Sequence, residues 1–152
     1  MTVAQILPGA PDQLVFTGIP SNRCEEFWDR VDPVLWRAIV RTDGRHSSLS
    51  TKHAIQNQQF QLWVAFEDAS MRECVAALVT QISTYPTGVR ECEIVFCAGD
   101  VVPRCLPLLE LIEAWAKSAD CTAIALTGRR GWARILNSNH FEESATVLRK
   151  RI

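Results

Sequence analysis

A single tyrosine, Tyr85, and only three histidines occur in 152 residues, and no two cysteines form a Cys-x-x-Cys pair. His46, His53 and His140 are not spaced as zinc ligands on one turn or helix would be, so no metal site is expected. Long apolar runs are missing too. Charged or polar groups interrupt the hydrophobic stretches, and Met1 to Gly9 lacks the basic start and extended apolar core of an export signal. These absences predict a cytoplasmic protein with no membrane span. With 7 Gly and 7 Pro, neither disorder nor a fibrous repeat is indicated, and no low-complexity tract or linker breaks the chain.

What is present suits one globular domain over 1–152: the composition is 47% hydrophobic and 22% charged, and a chain of this size buries about two thirds of its unfolded surface. Cysteines stand at 24, 74, 92, 97, 105 and 121. Without an export signal they are read as reduced thiols, serving mostly as small apolar side chains. The net charge of -1 hides an asymmetry: residues 129–152 hold six basic side chains against two acidic, a net +4, and residues 1–128 therefore carry -5. An anionic ligand is expected at the C-terminal end.

Along the chain, Ser21 and Asn22 precede Glu25 and Glu26 with Cys24, Phe27, Trp28 and Val31 at helical spacing, which predicts a capped helix. Asp32-Pro33 then predicts a second helix start, with Leu35, Trp36, Ile39 and Val40 as its apolar stripe. The polar segment Thr42 to Ser48 reads as a surface loop before a short helix near Ser50 to Gln56. Alternation around Phe60 to Phe66, the β-rich run Glu73 to Thr84, the turn Tyr85-Pro86-Thr87-Gly88 and Cys92 to Cys97 predict an antiparallel meander. After Gly99-Asp100 the period changes, with Leu106, Leu109, Ile112, Trp115, Ala116 and Ala119 marking one helix face. Thr122 to Leu126 is then a short strand that closes a parallel βαβ unit.

Several stretches carry a family resemblance. Leu108-Leu109-Glu110-Leu111-Ile112-Glu113-Ala114-Trp115-Ala116, the strand Cys121 to Leu126, and Asn139-His140-Phe141 resemble, in that order, the helix after the fourth strand, the fifth strand and the closing Gly-Phe of the GNAT-type N-acetyltransferases. Gly128-Arg129-Arg130-Gly131-Trp132 with Arg134 resembles a variant in short GNAT-like proteins common in bacteriophage genomes. The resemblance implies an α/β (α+β) fold with a mixed, mostly antiparallel sheet and helices on both faces. It also implies acetyl-CoA as cofactor and an amine, small molecule or protein, as acceptor.

Members of that family hold the cofactor pyrophosphate on backbone amides where the fourth strand enters its helix, because unpaired helix N-H groups favour an anion. The corresponding residues here are Cys97, Gly99, Arg104, Cys105 and Leu106. Aligned on Leu108-Leu109, the two glycines of the family's loop fall on Pro103 and Cys105, and neither Pro103 nor Pro107 has an N-H to give. The tyrosine that often protonates the departing thiolate falls on Leu136, which has no proton to donate. Glu93 is the candidate general base, placed by strand alternation opposite Ile94 and Phe96 and beside Val95 and Cys97; a solvent-facing strand glutamate is its plainer role. Cys97 and Cys105 would act as nucleophiles only with a stabilised thiolate, and no His or acid partner is readable near them.

Arg129, Arg130, Trp132 and Arg134 form the candidate substrate or anion site, since the guanidinium fork suits carboxylate and phosphate. Three functions follow from these residues. The first is an acyl-CoA-dependent N-acyltransferase. The second is a catalytically weakened GNAT-fold protein that binds a protein partner, a host protein in the host cytoplasm if the gene is a phage's. The third is nucleic-acid binding through the basic C-terminal end, which the slight net acidity and the lack of interleaved aromatics disfavour.

Overall fold

The computed structural model describes residues 14–99 and 102–152; the reading of Met1 to Gly9 and the residue Asp100 lie outside the described residues. The elements in chain order are β1 (Val15–Ile19), α1 (Cys24–Ile39), α2 (Ser48–Gln56), β2 (Gln61–Phe66), β3 (Cys74–Thr84), β4 (Arg90–Gly99), α3 (Val102–Cys105), α4 (Pro107–Ser118), β5 (Ala123–Leu126) and α5 (Arg130–Leu136). The strands form one sheet in the order β1-β2-β3-β4-β5. Its first three pairings are antiparallel and β4–β5 is parallel, the mixed sheet expected from the sequence.

Each face of the sheet carries its own core. On one, α1 and α2 bring Phe27, Val31, Leu35 and Ile55 onto Leu62, Val64, Phe66, Val79 and Phe96. On the other, Leu108, Ile112 and Ala116 of α4 cover Phe16, Trp63, Ala65, Leu78, Cys92 and Ile94. Helices on both faces explain why β2 is buried along nearly all its length rather than on alternate residues. Trp63 shows how a polar atom survives there. Its indole Nε1 donates to Thr80 Oγ1 at 2.9 Å, the hydroxyl donates on to Gln61 Oε1 at 3.0 Å, and the ring meets Trp115 edge-on at 5.2 Å between centroids.

The structure corrects several local expectations. Val15–Ile19 is a strand that no pattern in the sequence marks: all five residues are buried, and so short a segment shows no polar alternation. Ser21 and Asn22 do not cap α1; they lie in a 3-10 turn after Pro20, and the N-cap is Arg23, without a side-chain cap bond. Nor is there a second helix start at Asp32-Pro33, since α1 runs through Pro33 as one helix. An interior proline costs about 3 kcal/mol. Burying Phe27, Trp28, Val31, Val34, Leu35 and Ile39 on one stripe, at about 1.5–3 kcal/mol for each large side chain, outweighs it. The same continuity turns Trp36 and Val40 outward, 52% and 49% exposed, whereas Leu35 and Ile39 are buried.

Further along, Thr42 to Ser48 is more than a solvated connector. Thr42 Oγ1 donates to Ile39 O at 2.7 Å and accepts from His46 N at 3.2 Å, and the His46 ring stands edge-on to Phe96 at 5.0 Å. Ser47 and Ser50 form a capping box that starts α2. In α4 the buried stripe is Leu108, Ile112 and Ala116, so Leu108 replaces Leu106 and Ala119 of the expected face.

Candidate active site

The site begins with an irregularity in β4. Val79 pairs with Phe96 but Thr80 pairs with Ile94, so Val95 is an extra residue, a β-bulge. It reverses the alternation: Ile94 belongs to the α4-side core and Phe96 to the α1-side core. Glu93, opposite Gln81, therefore shares the α1 face with Phe96 and Ala98 rather than standing opposite Phe96. Cys97 stays on the α4 face.

The bulge also ends the parallel pairing. β5 pairs with Glu91 to Ile94 only, and β4 runs on to Gly99 with β3 along one edge and no described strand along the other. Backbone N-H and C=O groups on that open edge need partners. Around the end of β4 beyond the bulge lies a cavity of about 280 Å³. Its wall comes from both sides of the sheet: Cys97, Ala98 and Gly99 of β4, Leu106, Leu108 and Leu109 at the head of α4, Arg37 and Arg41 from the end of α1, and Arg129 and Trp132 around the start of α5. Gly99 permits the close approach of β3 here, because a Cβ on it would lie 2.6 Å from Ala76 Cβ and 2.9 Å from Val75 O. Gly128 does the same for Trp132, whose Cδ1 would be 2.9 Å from a Cβ at that position.

Of the residues expected at a site, Cys97, Gly99, Cys105, Leu106, Arg129 and Trp132 line this cavity, while Glu93, Arg104, Arg130 and Arg134 are not among its lining. Arg104 turns instead to Glu67, at 3.5 Å. Arg37 and Arg41 were missed by sequence reasoning. The available signal is an i, i+4 pair of arginines, Arg37 in α1 and Arg41 just past its end, which is the pattern of any solvated helix face.

The thiols are not poised as nucleophiles. All six cysteines are free, and burial pushes the Cys97 thiol up to about 12, with the neighbouring Cys105 adding to the effect. Cys105 is also raised, chiefly by burial, against the pull of Arg104. Leu136, at the position of the family's acid, is 3% exposed. Tyr85 is far from the role: its hydroxyl bonds Glu91 at 3.2 Å at the β3–β4 turn, and that bond to a carboxylate raises its pKa. His140 closes the last helix in the left-handed region, φ 64°, where a glycine sits most easily.

No protein-family profile and no curated protein matches the sequence. Solved structures do match. The chain superimposes on an aminoglycoside acetyltransferase from an uncultured soil metagenomic sample with a TM-score of 0.69 and 12% identity, covering 92% of this chain and 99% of that one. For a ribosomal-protein-alanine N-acetyltransferase from Brucella melitensis biovar Abortus 2308 the values are 0.64 and 14%, over 90% and 99%. For a predicted acetyltransferase with acetyl-CoA from Clostridium acetobutylicum they are 0.63 and 12%, over 91% and 96%. The chain thus has the GNAT-like α+β fold. Among the described residues, no helix is long and apolar enough to cross a membrane, and no group of His, Cys, Asp and Glu is placed to hold a metal ion.

Proposed function

We propose that this chain binds an acyl-CoA in the cleft between β4 and β5 and passes the acyl group to an amine. The observation that carries the reading is the bulge at Val95 with the unpaired edge of β4 beyond it. That edge offers alternating backbone donors and acceptors to an extended, amide-bearing arm, and the apolar wall of Leu106, Leu108 and Leu109 suits its acyl end. Ligand pockets usually span about 300–1,000 Å³, so a cavity of about 280 Å³ fits the reactive end of the cofactor and leaves its phosphates at the rim.

There the residues fit through side chains more than through amides. Pro103 in α3 and Pro107 at the start of α4 have no N-H to offer, and Arg129 and Arg130, beside the cleft, supply positive charge instead. Bound acyl-CoA brings an activated thioester. Glu93, on the α1 face of β4, is our candidate to accept the proton from the amine. Leu136 gives no proton to the departing thiolate, and a Cys97 thiol at about 12 is a weaker acid than an ordinary thiol at about 8.5. Transfer then rests on positioning alone, and slow turnover is expected.

The buried Leu136 also favours a second reading, a GNAT-fold protein with little catalysis that works by binding a protein partner. A phage origin and a host partner belong to that reading. Nucleic-acid binding gains less support, because Arg149 and Arg151 both turn to Asp43, at 3.1 and 3.6 Å. Calorimetric titration of acetyl-CoA into the protein separates the readings. Saturable heat that weakens in Arg129→Gln is the expected result; no heat at millimolar ligand would end the acyl-CoA reading.

A further inference from the structure

The cleft holds a cation, Arg41, that the proposed cofactor site does not use. Besides Arg129, which the cofactor's phosphates take, Arg41 lines it, and among the described residues no aspartate or glutamate does. Two acids near it, among the described residues, face other cations: Asp43, next but one to Arg41, faces Arg149 and Arg151, and Glu67 faces Arg104. Arg41 stands just beyond the C-terminal end of α1, where the negative pole of the helix favours a cation. It reaches the cavity from the α1 face, opposite the head of α4 where the cofactor's phosphates are assigned.

We infer that the acceptor is an amine bearing an anionic group, a carboxylate or a phosphate, which Arg41 receives from the α1 side. The inference rests on the acyltransferase reading, which gives the α1 side of the cleft to the acceptor. A guanidinium makes paired, charge-assisted bonds to either anion, whereas a polycationic amine would bring like charge into a site of low dielectric. The acceptor class therefore differs from that of the aminoglycoside acetyltransferase with the same fold.

Four amines on one skeleton test this: β-alanine, 2-aminoethyl phosphate, ethanolamine and 1,2-diaminoethane, each titrated by NMR into the protein with and without saturating acetyl-CoA. One or both anionic amines should bind about tenfold more tightly than ethanolamine, as expected for hydrogen bonds to a charged group, and the diamine should bind worst. The stronger of the two anionic arms distinguishes carboxylate from phosphate. Arg41→Gln should abolish the preference while Arg41→Lys retains part of it, with acetyl-CoA affinity unchanged within about twofold in both. Equal binding of ethanolamine and the anionic amines would overturn the inference. So would a loss of acetyl-CoA affinity in Arg41→Gln as large as the loss for the amine, since Arg41 would then hold the cofactor. Should acetyl-CoA fail to bind at all, the acyltransferase reading falls, and the preference measured on the free protein still decides the present one.

Discussion

Gly99 sits where β3 and β4 come closest at the mouth of the cleft, and its missing side chain is a requirement of packing rather than of backbone conformation. A methyl there would meet Ala76 Cβ at 2.6 Å, and Ala76 Cα and Val75 O at 2.9 Å; two of those three atoms are backbone and have little room to yield. Gly99→Ala is therefore expected to cost about 1–3 kcal/mol, read as a lower urea midpoint with an unchanged slope. An unaltered midpoint would show that the strands part more easily than the packing implies. The sequence flags Gly99 through its place before the change of period, though not the Ala76 contact that makes it necessary. Glu93 shows the opposite case. Its strand is legible, but its face is not, because the extra residue at Val95 leaves no mark in the composition of Cys92 to Cys97.

At the scale of elements, legibility depends on whether a period or a turn marks the segment. The meander, α4 and β5 announce themselves by period and by turn residues such as Gly88, φ 85°. β1 does not, because its five residues, with Thr17 and Gly18 among them, are too few to show a period. For α1, local propensity argues for a stop at Pro33, whereas tertiary burial of a continuous stripe keeps the helix whole. Pro33 is itself exposed, so Pro33→Ala removes nothing from the core and restores an N-H to the helix. After allowance for the greater freedom it gives the unfolded chain, a gain of about 1–2 kcal/mol is expected. A loss in thermal or urea unfolding would show that Pro33 itself contributes to how α1 packs on β3 and β4.

For the whole molecule, the cleft is a meeting of parts remote in sequence. Its wall combines Arg37 and Arg41 with Cys97 to Gly99, the head of α4, and Arg129 with Trp132. The C-terminal half of this set can be approached through spacing and resemblance, whereas the α1 half depends on which residues of a helix turn toward β4. The basic excess of residues 129–152 is likewise divided by the fold, with Arg129 at the cavity and Arg149 and Arg151 on Asp43. The central claim is that the open edge of β4 receives an acyl-CoA. Amide hydrogen exchange, followed with and without saturating acetyl-CoA, tests it most directly. Exchange should slow at amides within Val95 to Gly99, with β1 and β2 unchanged; unaltered exchange over Val95 to Gly99 at saturating ligand would contradict it.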